Sequence, residues 1–397
     1  MADTIAPRQW RHHIARATAL FGAALLAGCA TLVPRGPVEQ APPPTTRPQP
    51  TRPDPVTGGI PEDTQRHRVA LLVPLTGPNG GVGRSIANAT QLALLDTRSE
   101  RVRITTYDTA AGAGPAAQRA IAEGNRLILG PLLAEDVRAV TPIARAAKVP
   151  VISYSNDVSV AGNGAWLLGY TPAQSIDRVV GHARTNGMTQ FAGLVPAGVY
   201  GQRASTSFLR AVEQAGGQVV SLQTYPRGGI AAAVTRLAKN SPYEAVLIAD
   251  QAGAAAMAVP AIRKTPSRSA RVLGTELWNT ETGLGSMPAL NGAWYASVSN
   301  TLYRQFATKY RARFNAAPYR LSSLGYDSVL LTVRIARDWT IGRDFPESRL
   351  RAEDGFAGLD GAFRFGRDGV AERALEVQEV RAGGAVTVSP APRTFGE

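Results

Sequence analysis

Short apolar runs alternate with amphipathic helical patterns from Arg68 onward, and this alternation limits the fold more than any other feature of the sequence. The run VALLVP at 69–74 is apolar at nearly every position, as in a strand buried on both faces. Residues 84–95 follow with apolar side chains at helical spacing. Strands of this kind, separated by helices, form a parallel sheet covered on both sides, so we predict an α/β fold.

The strand and helix series runs twice, first over 69–152 and again over 191–274. We therefore predict two doubly wound parallel-sheet lobes linked by crossover segments. Strong helical patterns at 302–314 and 324–337, and a hairpin from 363–369 followed by 374–380, are expected to cross back between the lobes. The predicted boundaries are 66–172 and 298–340 for the first lobe, 173–297 and 341–390 for the second lobe, and 391–397 for a tail.

The first 28 residues have the order of a secretory signal peptide. Three arginines precede the apolar run 17–26, and Ala27-Gly28-Cys29 follows it. That run is about half of the roughly 20 residues that a membrane-spanning helix needs, so we do not expect a permanent transmembrane anchor here. Residues 26–29, LAGC, resemble the bacterial lipobox, in which the cysteine thiol is acylated. We predict lipidation of Cys29 and, from Ala30 and the analogy with Gram-negative lipoproteins, a position on the periplasmic side of the outer membrane.

The lipid-bearing residue is followed by a Pro-rich segment, and we predict that 29–65 is a tether. Residues 34–61 contain ten prolines, a composition that cannot bury a core and that favours extended polyproline II. At about 3.1 Å per residue, such a segment reaches roughly 90 Å when it is fully extended. Cys29 is the only cysteine, which excludes an intramolecular disulfide framework and every multi-cysteine zinc site.

The chain is basic, with 43 Lys and Arg against 30 Asp and Glu, a net charge of +13. Such a charge attracts nucleic acid, anionic lipid headgroups and acidic cell-wall polymers alike. The sequence has no helix-turn-helix, zinc-finger or aromatic RNA-binding signature, so we expect a solvated basic surface and no nucleic-acid partner.

Several short segments, taken in order, resemble type 1 periplasmic binding proteins of the leucine-binding kind. They are VALLVPLTGP (69–78), YDT (107–109), LGPL (129–132), PVIS (150–153), YG (200–201), GYD (325–327) and GLDG (358–361). Within that superfamily, GPLLAED (130–136), SND (155–157) and AGNG (161–164) are more similar to the penicillin-binding-protein activator lipoproteins. The likeness covers about residues 66–385.

The resemblance implies two lobes that face each other across a cleft. For the activator subfamily it implies stimulation of a cell-wall synthase, a penicillin-binding protein, by direct contact from the outer membrane. Well-studied activators carry an additional N-terminal helical-repeat domain, whereas a Pro-rich tether precedes the binding module in this sequence. No role of that extra domain is carried over.

If the cleft holds a small amino-acid-like ligand, as in leucine-binding relatives, the ligand groups are expected beyond the carboxyl ends of the strands. Helix starts and serines would meet its carboxylate, Glu276 its ammonium, and Tyr200 would stack across from the opposing lobe. A salt-bridged cleft rim is the alternative for Arg84 and Glu276. Leu133 stands where such relatives present a serine, which removes a hydrogen bond of about 1.5–3 kcal/mol. The candidate cleft residues are Gly77, Pro78, Gly83, Arg84, Gly130, Pro131, Ser153, Ser155, Asn156, Tyr200 and Glu276.

Catalytic functions find little support in the sequence. The loop 76–85 lacks the glycine and lysine of a P-loop and the final glycine or alanine of a dinucleotide fingerprint. Ser85 falls one residue short of a nucleophile elbow, and His182 is the only histidine well inside the body. We expect no catalytic residue, no metal and no cofactor.

The sequence therefore predicts a non-enzymatic lipoprotein that activates a peptidoglycan synthase by contact. The alternative is a substrate-binding protein for an ABC transporter of the branched-chain amino-acid type. A wall-modifying enzyme is the third class considered.

Overall fold

The computed structural model describes residues 65–281, 283–392 and 395, and all of them belong to one compact unit. The predicted signal peptide, Cys29 and the tether up to residue 64 lie outside the described residues. No helix in the described part of the chain combines the length and the apolar character needed to cross a membrane.

Helices and strands alternate through most of the body. The helices are α1 (Gly80–Thr97), α2 (Ala113–Ala122), α3 (Ala134–Ala146), α4 (Pro172–Thr185), α5 (Val199–Gln214), α6 (Ile230–Leu237), α7 (Ala252–Ile262), α8 (Thr301–Phe314) and α9 (Ser322–Ile335). The strands are β1 (His67–Val73), β2 (Val102–Asp108), β3 (Ile128–Leu129), β4 (Val151–Ser153), β5 (Ala165–Leu167), β6 (Gln190–Pro196), β7 (Gln218–Tyr225), β8 (Ala245–Ile248), β9 (Arg271–Gly274), β10 (Trp294–Ser297), β11 (Phe356–Gly358), β12 (Gly361–Phe365), β13 (Ala371–Arg373), β14 (Glu376–Arg381) and β15 (Gly384–Ser389).

The first sheet has the order β2-β1-β3-β4-β5, and all of its strands are parallel. Alternate residues of β1 enter different cores. Val69 and Leu71 pack on one face with α1 and α9, whereas Ala70 and Leu72 pack on the other face with α2 and α3. A strand that is buried on both faces has to be apolar at successive positions, which explains the continuous apolar run in the sequence.

The second sheet has the order β15-β14-β10-β9-β8-β6-β7 and carries helices α4 to α7. Strands β6 to β10 are parallel, and β6 again divides its side chains between two cores, with Leu194 on one face and Phe191 on the other. At one edge β14 pairs antiparallel with β10, and β15 pairs antiparallel with β14. The predicted two-lobed α/β fold is confirmed, with these two antiparallel strands as an addition.

The predicted boundary at residue 341 is wrong for the segment that follows it. Phe345, Leu350, Phe356 and Phe363 belong to the same buried core as β1, so this segment packs on the first lobe and not on the second. The predicted hairpin is also different. β12 pairs with β13, and 376–381 joins the second sheet as β14. Local pattern indicates that these aromatic residues are buried, but both lobes offer an apolar surface that can cover them.

Three crossover segments link the lobes. The chain leaves the first sheet after β5, returns after β10 to form α8 and α9, and passes to the second sheet once more between β13 and β14. Helix α9 packs closely on α1 at Gly325, where an added side-chain carbon would lie only 2.8 Å from the backbone oxygen of Ile86. The first lobe therefore contains α1–α3, α8 and α9, and the second contains α4–α7.

Candidate functional site

A groove runs between the two lobes, and residues of both lobes line it. The first lobe contributes the start of α3 and the loop after β4, and the second lobe contributes the first turns of α5. This interlobe groove encloses about 1070 Å³, part of it open to solvent. Its lining residues are Leu132, Leu133, Ala134, Glu135, Arg138, Ser155, Asn156, Asp157, Pro172, Val199, Tyr200 and Arg203.

An ion pair bridges the groove. Arg203 on α5 donates to the Oδ1 atom of Asp157 at 2.5 Å, and Arg138 on α3 donates to the other carboxylate oxygen at 3.0 Å. Burial alone would raise the pKa of Asp157, but the hydrogen bonds from Arg203 and Ser159 outweigh it and lower the pKa to about 2. The carboxylate is therefore charged at neutral pH and holds the two walls of the groove together.

The predicted serines and Pro131 lie together, but their polar groups already have protein partners. Ser153 is fully buried, and its hydroxyl donates to the backbone oxygen of Pro131 at 2.9 Å and accepts from the Ser155 amide at 3.0 Å. The Ser155 hydroxyl accepts from the Asp157 amide at 3.1 Å. Asn156 is exposed in the groove wall, and Gly130 approaches Leu72 so closely that no side chain fits there. These groups shape the loops at the ends of β3 and β4.

Tyr200 and Glu276 are in direct contact with each other, a pairing that the sequence did not predict. The Tyr200 hydroxyl donates to a carboxylate oxygen of Glu276 at 3.1 Å, and the Ser175 hydroxyl donates to the other oxygen. Burial raises the pKa of Glu276, although the hydrogen bond from Ser175 acts in the opposite direction. Burial and the nearby Glu276 carboxylate also raise the pKa of the Tyr200 hydroxyl.

Glu276 lies in the wall of a second pocket, formed where the crossover segments meet. This crossover pocket has about 370 Å³ of space between its walls, with open solvent included, and the centre of a water molecule can reach about 20 Å³ of it. Its lining residues are Tyr170, Thr171, Gln174, Ser175, Glu276, Asn279, Thr280, Ser297, Val298, Arg320, Arg373 and Leu375.

Two buried arginines stand beside this pocket. Arg320 forms a salt bridge with Asp360 at 2.8 Å, and Arg373 lies 3.9 Å from Asp327 and donates to the backbone oxygen of Leu168 at 2.7 Å. Burial and the charge of Asp360 raise the pKa of Asp327, whereas the two arginines overcome burial and lower the pKa of Asp360. These charges thus join the region of α9 to the segment 360–373, and the bond from Arg373 to Leu168 ties that segment to the crossover after β5.

The loop after β1 stands apart from both sites. Gly77 and Pro78 are exposed, and neither they nor Arg84 lines the interlobe groove or the crossover pocket. The Arg84 guanidinium donates to the backbone oxygen of Leu75, so it closes the turn between β1 and α1. A side chain at Gly83 would come within 1.7 Å of the backbone oxygen of Pro74, so this glycine permits the close approach of α1 to β1. The sequence offered a salt-bridged rim as the alternative for Arg84 and Glu276, and Arg84 bonds to a backbone oxygen instead.

Asp157, Arg203, Arg320 and Arg373 are the groups that the sequence did not single out. Asp157 follows Ser155 and Asn156 directly, and Arg203 follows Tyr200 by three residues, so each stands next to a predicted position. Asp157 and Arg203 pair across the two lobes, and no local sequence pattern indicates this contact.

His182 is a packing residue. It lies on α4 with its ring edge against Trp294, at a centroid distance of 4.6 Å, and burial lowers its pKa. Trp166 is also buried, and its indole nitrogen donates to the Glu347 carboxylate at 2.9 Å. Within residues 65–281 and 283–392, no group of three or more His, Cys, Asp or Glu side chains is arranged to hold a metal ion.

Comparison with known families gives a match over most of this body. A family model described as "Periplasmic binding protein" matches residues 67–385. The penicillin-binding protein activator LpoA of Photobacterium profundum is 25% identical over 169 residues, which are 41% of this chain and 27% of that protein. An uncharacterized protein of Rickettsia prowazekii is 26% identical over 139 residues, which are 34% of this chain and 37% of that protein. The matched region thus spans well under half the length of these curated relatives.

Solved structures share the fold. A putative branched-chain amino acid ABC transporter from Rhodospirillum rubrum has a TM-score of 0.72 at 21% identity and covers 81% of this chain and 100% of that one. The LpoA C-domain from Haemophilus influenzae, a regulator of PBP1A, has a TM-score of 0.64 at 17% identity, with 81% of this chain and 99% of that one covered. At such identities the likeness is one of fold alone.

Proposed function

This chain belongs to the periplasmic binding protein family, and we propose that it is a non-enzymatic lipoprotein that activates a peptidoglycan synthase by direct contact. In this proposal acylated Cys29 anchors the chain at the periplasmic face of the outer membrane. The Pro-rich segment 29–65 then gives the two-lobed body the reach to meet a synthase in the cell wall.

The observation that carries this proposal is that three polar groups in or beside the interlobe groove and the crossover pocket are paired within the protein. Asp157 is held by Arg203, Ser153 is bound to Pro131, and Glu276 receives hydrogen bonds from Tyr200 and Ser175. A protein that captures a polar solute needs such groups for its ligand, and each one that must leave a buried partner costs about 1–3 kcal/mol. The arrangement therefore favours a body that acts through its outer surface.

Similarity to an activator supports the same conclusion. The activator relative is matched over 27% of its own length, and the structural likeness is to the C-domain of a related regulator. The C-domain of that regulator has the fold of the two-lobed module. We infer that this module is the part that contacts the synthase.

A binding experiment tests the proposal. The full mature lipoprotein, purified in detergent, is presented to each purified penicillin-binding protein of the same bacterium, and association and glycan polymerisation are measured. We expect one synthase to bind with micromolar or tighter affinity and to polymerise faster in the presence of the chain. Absence of binding to every synthase would contradict the proposal.

Capture of an amino acid for an ABC transporter is the second candidate, and one observation favours it. The crossover pocket brings the Glu276 carboxylate near two guanidinium groups, Arg320 and Arg373, and these charges complement the ammonium and carboxylate of an amino acid. Calorimetry with the twenty amino acids separates the candidates. Micromolar binding of an amino acid, without binding of a synthase, would favour transport.

A further inference from the structure

Helix α8 carries a concentration of positive charge that neither the groove nor the crossover pocket uses. The sequence contains no acidic residue between Glu281 and Asp327, and within this stretch α8 contains Arg304, Lys309, Arg311 and Arg313. The helix therefore has four cations and no anion of its own.

The packing of α8 turns these cations towards solvent. Phe306, Ala307 and Tyr310 form its buried stripe, and Phe306 and Tyr310 share a core cluster with Ala89 and Leu92 of α1. The Asn88 amide of α1 also donates to the Tyr310 hydroxyl at 3.0 Å. All four basic side chains are exposed, with Arg304 and Arg311 along one side of this stripe and Lys309 and Arg313 along the other.

Few anions near α8 balance this charge. Lys309 forms a salt bridge with Asp96 at 2.9 Å. Burial raises the pKa of Glu376, and the charge of Arg304 opposes that shift, so Arg304 has one carboxyl group nearby. Neither Arg311 nor Arg313 forms a salt bridge with any residue that the structure describes. Two exposed leucines lie near these cations. Leu302 is on α8 itself, and Leu95 precedes Asp96, the α1 residue that pairs with Lys309.

Helix stability explains only part of this pattern. Cations in the last turn interact favourably with the helix dipole, by about 0.3–1 kcal/mol each, which suits Arg311 and Arg313. That effect requires neither the absence of acidic residues over the whole helix nor the exposure of Leu302 and Leu95 beside it. Arginine is among the residues that are enriched at protein interfaces.

The fixed position of α8 favours a protein partner over a lipid surface. A helix that lies on a membrane inserts its apolar face among the acyl chains, but the apolar face of α8 is already covered by α1. The guanidinium groups, in contrast, are free to form paired hydrogen bonds with carboxylates.

We propose that the exposed face of α8, formed by Leu302, Arg304, Lys309, Arg311 and Arg313, binds an acidic surface of the partner protein. This inference rests on the proposed function and names the surface through which it acts.

The test is charge reversal in the full mature chain. The variant Arg311→Glu/Arg313→Glu is compared with wild type for binding to the synthase that wild type binds best, at low and at physiological salt. The control, Arg227→Glu/Lys264→Glu, makes the same charge change at two exposed positions of the second lobe. We expect the α8 variant to bind at least about tenfold more weakly than wild type at physiological salt and the control to bind within about twofold of wild type, because screening there limits charge interactions to about 8 Å. A milder variant, Arg311→Gln/Arg313→Gln, is expected to have an affinity between those of the charge-reversal variant and the control. Thermal unfolding checks that all variants fold.

The outcomes separate the two proposals. If wild type binds a synthase and the α8 variants bind equally well, or if the control loses as much affinity, the inference about α8 is overturned while the proposed function stands. If wild type binds no synthase, both fall. Vesicles that contain phosphatidylglycerol provide the last arm. Loss of vesicle binding by the α8 variants, with synthase binding intact, would assign this face to lipid and overturn the inference.

Discussion

Asp157 of the first lobe accepts a hydrogen bond from Arg203 of the second lobe at 2.5 Å, and this ion pair joins the two walls of the interlobe groove. The Asp157 side chain is 11% exposed and that of Arg203 is 27% exposed, so the pair is only partly screened by water. It therefore contributes to the relative position of the lobes, and the first prediction concerns it.

Replacement of Asp157 by Asn should loosen the two lobes. The pKa of Asp157 is about 2 in the folded protein and about 3.9 in the unfolded chain. The charged carboxylate therefore stabilises the folded state fully above about pH 3.9, and this stabilisation is lost as the pH falls towards 2. We expect Asp157→Asn to lower the free energy of unfolding by about 1–2 kcal/mol at pH 7, after a discount for partial exposure. The difference from wild type should shrink between pH 5 and pH 2. Urea unfolding over this range measures it.

The matched control for this variant is Asp177→Asn. Asp177 pairs with Arg210 at 3.2 Å, and both side chains are about half exposed. We expect a loss below about 1 kcal/mol, because exposed pairs contribute little. If both variants lose the same free energy of unfolding, the ion pair between the lobes stabilises the protein no more than an exposed pair does.

Glu276 should make stability depend on pH in the opposite sense. Burial raises its pKa, so the folded state prefers the protonated carboxyl, and stability is lost as pH rises from the unfolded pKa of about 4.3 through the raised folded value. Glu276→Gln removes this titration. We expect the melting temperature of the variant, relative to wild type, to rise between pH 4 and pH 7. A difference that does not change with pH would mean that the carboxylate is ionised in the folded protein without cost.

The salt bridge between Arg320 and Asp360 should be costly to break. Asp360 is fully buried, and removal of one partner leaves a buried charge without compensation, at a cost of about 3–5 kcal/mol. We expect Asp360→Asn to destabilise the chain by that amount in urea unfolding. The exposed pair of Arg334 and Asp354 is the control, and Asp354→Asn should cost less than about 1 kcal/mol. Similar costs at the two sites would refute the prediction.

Two glycines in helices should respond in opposite directions to alanine. At Gly83 an added methyl group would lie 1.7 Å from the backbone oxygen of Pro74, so α1 would have to move away from β1. At Gly181 on α4 an added methyl group meets no atom within 4 Å. We expect Gly83→Ala to destabilise by more than about 2 kcal/mol and Gly181→Ala to stabilise by about 0.5–1 kcal/mol through higher helix propensity. Chemical denaturation of the two variants checks both signs.

The sequence located the candidate site only in part. It selected the neighbourhoods of Ser153, Ser155, Tyr200 and Glu276, because ligands of open α/β sheets bind at the carboxyl ends of strands. It also selected the loop of Gly77 and Arg84 on the same grounds, and the structure places that loop away from both pockets. Strand ends are visible in a sequence, but the direction of a loop depends on what packs beneath it.

The sequence by itself determined the two wound lobes, because a strand segment buried on both faces must be apolar at successive positions, as 69–73 and 191–195 are. It also determined the basic character of α8, which is a property of composition. Only the tertiary structure decided that the aromatic residues after 341 pack on the first lobe, and that Asp157 pairs with Arg203 and Glu276 with Ser175. The physical reason is that burial can be read from local pattern, whereas the partner of a buried or charged group, often a hundred residues away, is chosen by packing of the whole chain.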